Sequence, residues 1–213
     1  VPDTTVSASQ ILDKYLEALG GTARLAKITS FAAKGTYAGF DTGFGEVPVE
    51  VYAKAPNQRA TVVHLDYGQN VRVYDGRNGW FAGPDSPAPL VTLTTGTLDL
   101  ARMEALVAFP AGIKQAFGQW IVGNTIIDDN DVQIVQGTNP GLLPVDLYFG
   151  KAGLLVRLVR WTQTAVGPVP TQIDYGDYRE VAGVRTPFTW TISQTYMQMT
   201  IKLSDLQTNV PLA

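Results

Sequence analysis

The sequence predicts a mainly β protein with helices, in which about eleven strands, mostly antiparallel, curl to bury one face and three helical segments serve as filling or lid. Three observations carry this. Apolar residues alternate with polar ones from Ser30 onward, the period of a half-buried strand. Gly, Pro, Asn and Asp clusters break that alternation at short intervals, as hairpin turns require. The helical period of 3.6 is confined to the N-terminus and to residues 98–119. A chain of 213 residues suits one domain of this class, and no linker divides it.

Ser7 and Gln10 fit a capping box, with the Gln10 side chain reaching back to the Ser7 amide. Ile11, Leu12, Tyr15, Leu16 and Leu19 then form one apolar stripe, and Gly20-Gly21 ends the helix. Residues 1–8 read as a flexible leader, and a short helical turn is expected over Thr22 to Ile28. Strands follow at Ser30–Tyr37, Val47–Ala53, Arg59–Leu65, Gln69–Tyr74 and Trp80–Ala82. The stretch Val73-Tyr74-Asp75-Gly76-Arg77-Asn78-Gly79-Trp80-Phe81 reads as a hairpin end, because Asp-Gly and Asn-Gly accept positive φ at little steric cost. No helix pattern opens after its glycines, so it is no phosphate loop. A stiff loop, Pro84 to Pro89, leads to helices over Leu98–Val107 and Pro110–Gln119, Pro110 standing well as a first helical residue. Strands resume at Val132–Gln136, Val145–Phe149, Leu154–Thr164, Thr171–Tyr178, Phe188–Thr195 and Met199–Leu206. Hairpin turns are expected at Gly150–Gly153 and Val181–Val184.

Composition excludes several function classes. A net charge of −3 with scattered Lys and Arg gives no footprint for nucleic acid. Cysteine is absent, which removes disulfides, thiolate metal sites, a Cys nucleophile and C-x-x-C-H haem attachment. No apolar run reaches membrane-spanning length. The chain begins at Val1 without a visible signal peptide, which is compatible with processing after export or with a shortened chain. His64, the sole histidine, lies mid-strand with no G-x-S-x-G partner, so a hydrogen-bonded or solvated strand histidine is expected. Asp128-Asp129-Asn130-Asp131 lacks the EF-hand glycine and closing glutamate and reads as a polar hairpin turn. No catalytic residue, metal site or cofactor is expected. Aromatic residues at strand positions, namely Tyr52, Trp80, Phe149, Trp161 and Trp190, suit either a solid core or a pocket for an apolar ligand.

The segment order resembles the LolA/LolB-type lipoprotein carrier superfamily. The similarity is carried by Tyr52–Arg59 leading into a strand, by Tyr74–Trp80, by the two inner helices and the run of hairpins, and by the close Ser204–Leu212. Val145–Phe149 and Gln172–Phe188 look like the version of this domain appended to photosynthetic reaction-centre cytochrome c subunit-like proteins. Any haem would belong to another part of such a parent.

The resemblance implies a half-open antiparallel barrel under a helical lid, located in the periplasm or attached to a membrane facing it. It implies a non-enzymatic protein with a hydrophobic cavity for a lipid or acyl chain, lined by Tyr52, Arg59, Trp80, Phe149, Trp161 and Trp190, and an envelope or membrane protein partner. A monomer is expected. Arg59 falls where carriers of this family have an arginine that hydrogen-bonds the lid and holds it closed; a rim arginine in solvent is the other reading of that position. The competing view of the whole is a docking domain with a solid core, which would attach a larger electron-transfer or envelope assembly.

Overall fold

The computed structural model describes residues 6–212. They form three α-helices, α1 (Ala8–Ala18), α2 (Thr22–Leu25) and α3 (Thr95–Ala108), and two 3-10 helices, Phe40–Thr42 and Pro110–Gln115. The strands are β1 (Ser30–Gly39), β2 (Val47–Lys54), β3 (Gln58–Leu65), β4 (Gly68–Tyr74), β5 (Gly79–Ala82), β6 (Val91–Thr92), β7 (Gln119–Ile127), β8 (Asn130–Thr138), β9 (Val145–Phe149), β10 (Leu155–Thr164), β11 (Gly167–Val181), β12 (Val184–Gln194) and β13 (Met197–Thr208). The mainly β class with helices is thus the observed one. None of the described helices is long and apolar enough to cross a membrane.

The chain divides into two compact units, and each is assembled from two segments. One takes the N-terminal part up to Leu25 together with Pro110–Tyr196; the other takes Ala26–Phe109 and the part from Met197 onward. The first carries α1 and α2 with the strand order β12-β11-β10-β9-β8-β7, and the second carries α3 with the order β6-β5-β4-β3-β2-β1-β13.

In the first unit the signals read from sequence for α1 are all used. The Ser7 hydroxyl accepts from the Gln10 N–H at 3.3 Å and the Gln10 side chain accepts from the Ser7 N–H at 2.8 Å. Ser7 and Ala8 therefore begin the fold, which shortens the expected leader; its first five residues lie outside the described ones. At the other end of α1, Gly21 N–H donates to the Leu16 carbonyl and Gly20 N–H to that of Glu17, the paired bonds of a Schellman cap. Gly20 sits at φ 125, and a Cβ there would stand 2.4 Å from the Gly183 carbonyl oxygen, so glycine is required twice over. The stripe Ile11, Leu12, Tyr15, Leu16 is buried, with the Tyr15 ring 5.1 Å from Phe149. Burial pushes the Tyr15 phenol well above its ordinary range. The β11–β12 hairpin closes through Ala182 at φ 52 and Gly183 at φ 77, the left-handed pair that a two-residue hairpin favours.

One expectation fails in this unit, and one strand, β7, was not read from the sequence. The second inner helix is only the 3-10 segment Pro110–Gln115, and Gln119 already belongs to β7. Gly123-Asn124 interrupts the apolar run of β7 and reads as punctuation, yet hairpin pairing with β8 carries the strand through it. Asp128 and Asp129, at φ 49 and 61, form the tight turn of that hairpin, as the polar-turn reading requires.

In the second unit the hairpin reading of residues 73–81 holds. Tyr74 pairs Gly79 across it, and the Asp75 carboxylate accepts from the N–H groups of Arg77 at 2.8 Å and Asn78 at 2.6 Å. Gly76, at φ 100, occupies the position that needs a left-handed backbone. Strand β6, two residues long, was not legible as a strand and ends the sheet order on this side.

Candidate functional site

The residues that carry chemistry meet under α3, in the second unit. The register Ala53↔Arg59↔Tyr74↔Gly79 puts Arg59 and Tyr74 on one face of the sheet, together with Thr61, Arg72 and Phe81, since side chains two apart share a face. Helix α3 covers that face. Tyr74, Leu93, Ala101 and Ala105 form a buried cluster with Phe81 and Leu98 packed against it.

Into this apolar contact α3 carries a carboxylate. Glu104 is 7% exposed. Its Oε2 lies 3.0 Å from Nη1 of Arg59 and accepts from Nη2 of Arg72 at 2.6 Å. The Arg59 side chain is buried like its partner, whereas that of Arg72 keeps 27% of its surface. The other oxygen of the carboxylate, Oε1, is buried with no hydrogen-bond partner. Helix and strands are therefore joined by two arginines on one oxygen, and the carboxylate has half of its acceptor capacity unused. Placing a buried ion pair in an apolar interface gives little net stability, because desolvation offsets the attraction.

The start of α3 adds to this. Thr95, its first residue, has φ 43, and a β-branched residue at positive φ is an outlier costing about 1–3 kcal/mol. The Thr94 side chain makes no cap bond; the Thr97 hydroxyl accepts from the Thr94 N–H at 3.2 Å and donates to the Thr94 carbonyl at 2.8 Å.

Of the six residues expected to line a cavity, the structure brings few together. Tyr52 and Trp80 lie on the face of the sheet away from α3, in the row Ala32↔Tyr52↔Ala60↔Val73↔Trp80, so they do not share a site with Arg59. Tyr52 stands beside Glu50, and its phenol is pushed up by desolvation and by that carboxylate. In the first unit, Phe149 and Trp190 share a face through Leu147, Leu158, Ile173 and Ile192, and both are buried. Trp161, opposite Pro170, lies on the other face. Strand period alone cannot say which of two half-apolar faces a helix will cover, and that is why three of the five aromatic residues lie on other faces than the expected one. The rim reading of Arg59 fails as well, since the side chain is buried and paired.

Glu104 and Arg72 were missed. The signal was present: Leu100, Ala101, Glu104 and Ala105 share one helical face, and a charge in a buried stripe demands a partner. His64 is held as read, 3.3 Å from Glu50 through Nε2 and 3.1 Å from the Gln69 amide through Nδ1. Among the described residues no group of three or more His, Asp or Glu side chains could hold a metal.

The fold is shared with known proteins. A LolA superfamily protein from Nitrosomonas europaea is similar over 97% of this chain and 96% of its own, with a TM-score of 0.62 at 16% identity. A putative outer membrane lipoprotein-sorting protein domain from Vibrio parahaemolyticus matches over 97% and 95%, with a TM-score of 0.61 at 10% identity. No family model matches the sequence, and no curated protein matches it. The chain has the LolA-like, lipoprotein-carrier-like fold. The finer resemblance to reaction-centre cytochrome c subunit domains rests on the sequence alone.

Proposed function

We propose that this chain is a non-enzymatic, periplasmic carrier of a lipid or other acyl-bearing ligand, with α3 as the lid and Arg59–Glu104–Arg72 as its latch. The observation that carries the reading is the buried Glu104 carboxylate, tied to Arg59 and Arg72 through a single oxygen. A helix meant only to complete a core has no use for such a joint, since an apolar side chain of similar volume serves as well or better. The sheet face under α3 offers Tyr74, Phe81 and Thr61 once the helix moves, with the two arginines beside them.

Energetics suit an acyl chain. Each buried CH₂ contributes about 0.8 kcal/mol, so a chain of roughly fourteen carbons gains on the order of 10 kcal/mol gross. Freeing α3 and ordering the ligand subtract several kcal/mol, which leaves binding that is firm but reversible. The fold shared with lipoprotein-sorting proteins supports the same reading.

Native mass spectrometry of the purified protein, with solvent extraction of the same sample, tests it. A stoichiometric lipid that is lost more readily from Arg59→Leu than from the parent chain is the expected result. A clean apo mass, with no uptake of offered fatty acids or phospholipids, would remove the carrier reading.

A further inference from the structure

The two ends of the strand order are protected very differently. On one side stands β6, two residues long and led into by a loop containing Pro84, Pro87 and Pro89. Short strands and prolines are the usual guards of a sheet edge. On the other side stands β7, nine residues, Gln-Trp-Ile-Val-Gly-Asn-Thr-Ile-Ile, with neither a charge nor a proline. It pairs with β8 on one side and ends the order. Ile121 and Ile126 are 58% and 67% exposed, one on each face of the strand. Among the described residues no strand pairs with β7 on its other side, and an edge of this length invites another strand.

We propose that β7 is a self-association edge, and that two copies of this chain pair β7 to β7, antiparallel, about a two-fold axis at Gly123. The register follows from the hairpin. In a two-residue hairpin the closing pair, here Ile127 and Asn130, exchanges both hydrogen bonds. Odd-numbered residues of β7 therefore bond to β8, and the backbone groups of Trp120, Val122 and Ile126 turn to the other side. Full overlap of the nine residues sets Gly123 opposite its own copy. Trp120 then lies opposite Ile126 and Val122 opposite Asn124, so even-numbered residues meet even-numbered ones, as the bonding pattern demands. Trp120 against Ile126 is an aromatic and β-branched cross-strand pair, a favourable combination.

Charge selects the antiparallel sense. The acidic turn Asp128-Asp129 adjoins one end of β7. A parallel pairing would bring the two acidic turns together. The two-fold arrangement holds them apart by about the length of nine residues, roughly 30 Å, well beyond the screening length of about 8 Å at physiological salt. Within Gln119–Ile127 nothing charged opposes anything. An open groove of about 830 Å³, lined in part by Ile126, Val132, Phe149 and Lys14, lies beside the end of β7 where Ile126 meets the partner's Trp120.

The chain has no cysteine, so single cysteines report the pairing without background. Residues facing each other at the axis form a non-hydrogen-bonded pair with Cα atoms about 4.5 Å apart, within disulfide range. Gly123→Cys is expected to convert fully to a disulfide-linked dimer on mild oxidation, while Gln119→Cys, which faces Ile127, stays monomeric. If Gly123→Cys fails to fold, a mixture of Ile121→Cys and Thr125→Cys chains, which face each other in the same register, must cross-link where each alone does not. Light scattering is expected to give a dimer for the parent chain and a monomer for Ile126→Lys, with the thermal midpoint unchanged because Ile126 is exposed. A parent chain that stays monomeric at every concentration would overturn the proposal and leave the edge to a strand from another protein. Equal cross-linking of Gln119→Cys and Gly123→Cys would overturn it too.

Discussion

Helices α1 and α3 do similar work in the two units, each covering one face of a set of strands, yet they are fastened by opposite means. Helix α1 is closed at both ends, by a capping box and a Schellman cap, and is held by an apolar stripe in which Leu12 is 1% exposed. Its C-cap residue is also tied to the start of β12, since the Arg185 N–H donates to the Leu19 carbonyl at 2.8 Å. Helix α3 begins with a left-handed threonine, lacks a side-chain N-cap, and buries a carboxylate with one oxygen unsatisfied. Apolar packing has one deep minimum, whereas a half-satisfied buried ion pair has a competitor in water. In the proposed reading this difference makes α1 the permanent cover and α3 the mobile one.

The largest effect is expected at α1. Leu12→Ala removes a fully buried side chain and should cost about 2–5 kcal/mol, read as a lower urea midpoint for the whole unfolding transition. Glu104→Gln is the corresponding blow to α3. Removing one partner of a buried pair ordinarily costs about 3–5 kcal/mol. If α3 leaves the sheet as proposed, water reaches Arg59, and the global loss then falls short of that range. The deficit should appear instead as faster hydrogen exchange across Thr95–Ala108. A loss within the ordinary range, with α3 amides as protected as those of α1, would show the two helices to be equally fixed.

The converse change sharpens the contrast. Replacing both Arg59 and Glu104 with leucine removes the desolvation cost and is expected to be neutral or to stabilise by about 1–4 kcal/mol, while slowing exchange in α3. Such a chain should also take up a fluorescent fatty acid more slowly than the parent. Faster uptake would mean that the ion pair holds α3 closed more firmly than apolar packing does. Thr95→Gly is a smaller step in the same direction. Glycine accepts φ 43 without strain, though it also loosens the unfolded chain, so a gain of at most about 1 kcal/mol is expected, confined to α3.

What could be read from the sequence divides along the same line. Helix α1 was legible residue by residue, because caps and stripe are local and all of them agree. The hairpin at Asp75–Gly79 and the Val181–Val184 turn were legible for the same reason, turn chemistry being fixed by the residues themselves. Strand β7 was not, because Gly123-Asn124 imitates a turn and only the pairing with β8 overrides it. The site was half legible. Arg59 stood out by position, but its partner Glu104 lies 45 residues further on in a helix that looked merely amphipathic. Tyr52, Trp80 and Trp161 were placed with it because alternation gives two faces and no rule for choosing between them; burial by α3 makes that choice, and burial is tertiary.

The smallest expected effect belongs to the exposed turn Asp75–Gly79. Backbone N–H donors from Asn78 and Arg77 hold the Asp75 carboxyl below its ordinary value of 3.8. A group whose folded value is depressed favours the folded state above its unfolded value, and that contribution is lost as pH falls through the folded one. The urea midpoint of the parent chain should therefore lose a small increment on acidification below about pH 4 that Asp75→Asn lacks, the two curves converging at the acid end. Asparagine keeps an acceptor for the same N–H groups, so the comparison isolates charge from geometry. Exchange in α3 should be identical in the two chains at every pH. If acidification loosens α3 in the parent but not in Asp75→Asn, the hairpin and the lid are coupled, and the latch cannot be treated as a matter of Arg59, Arg72 and Glu104 alone.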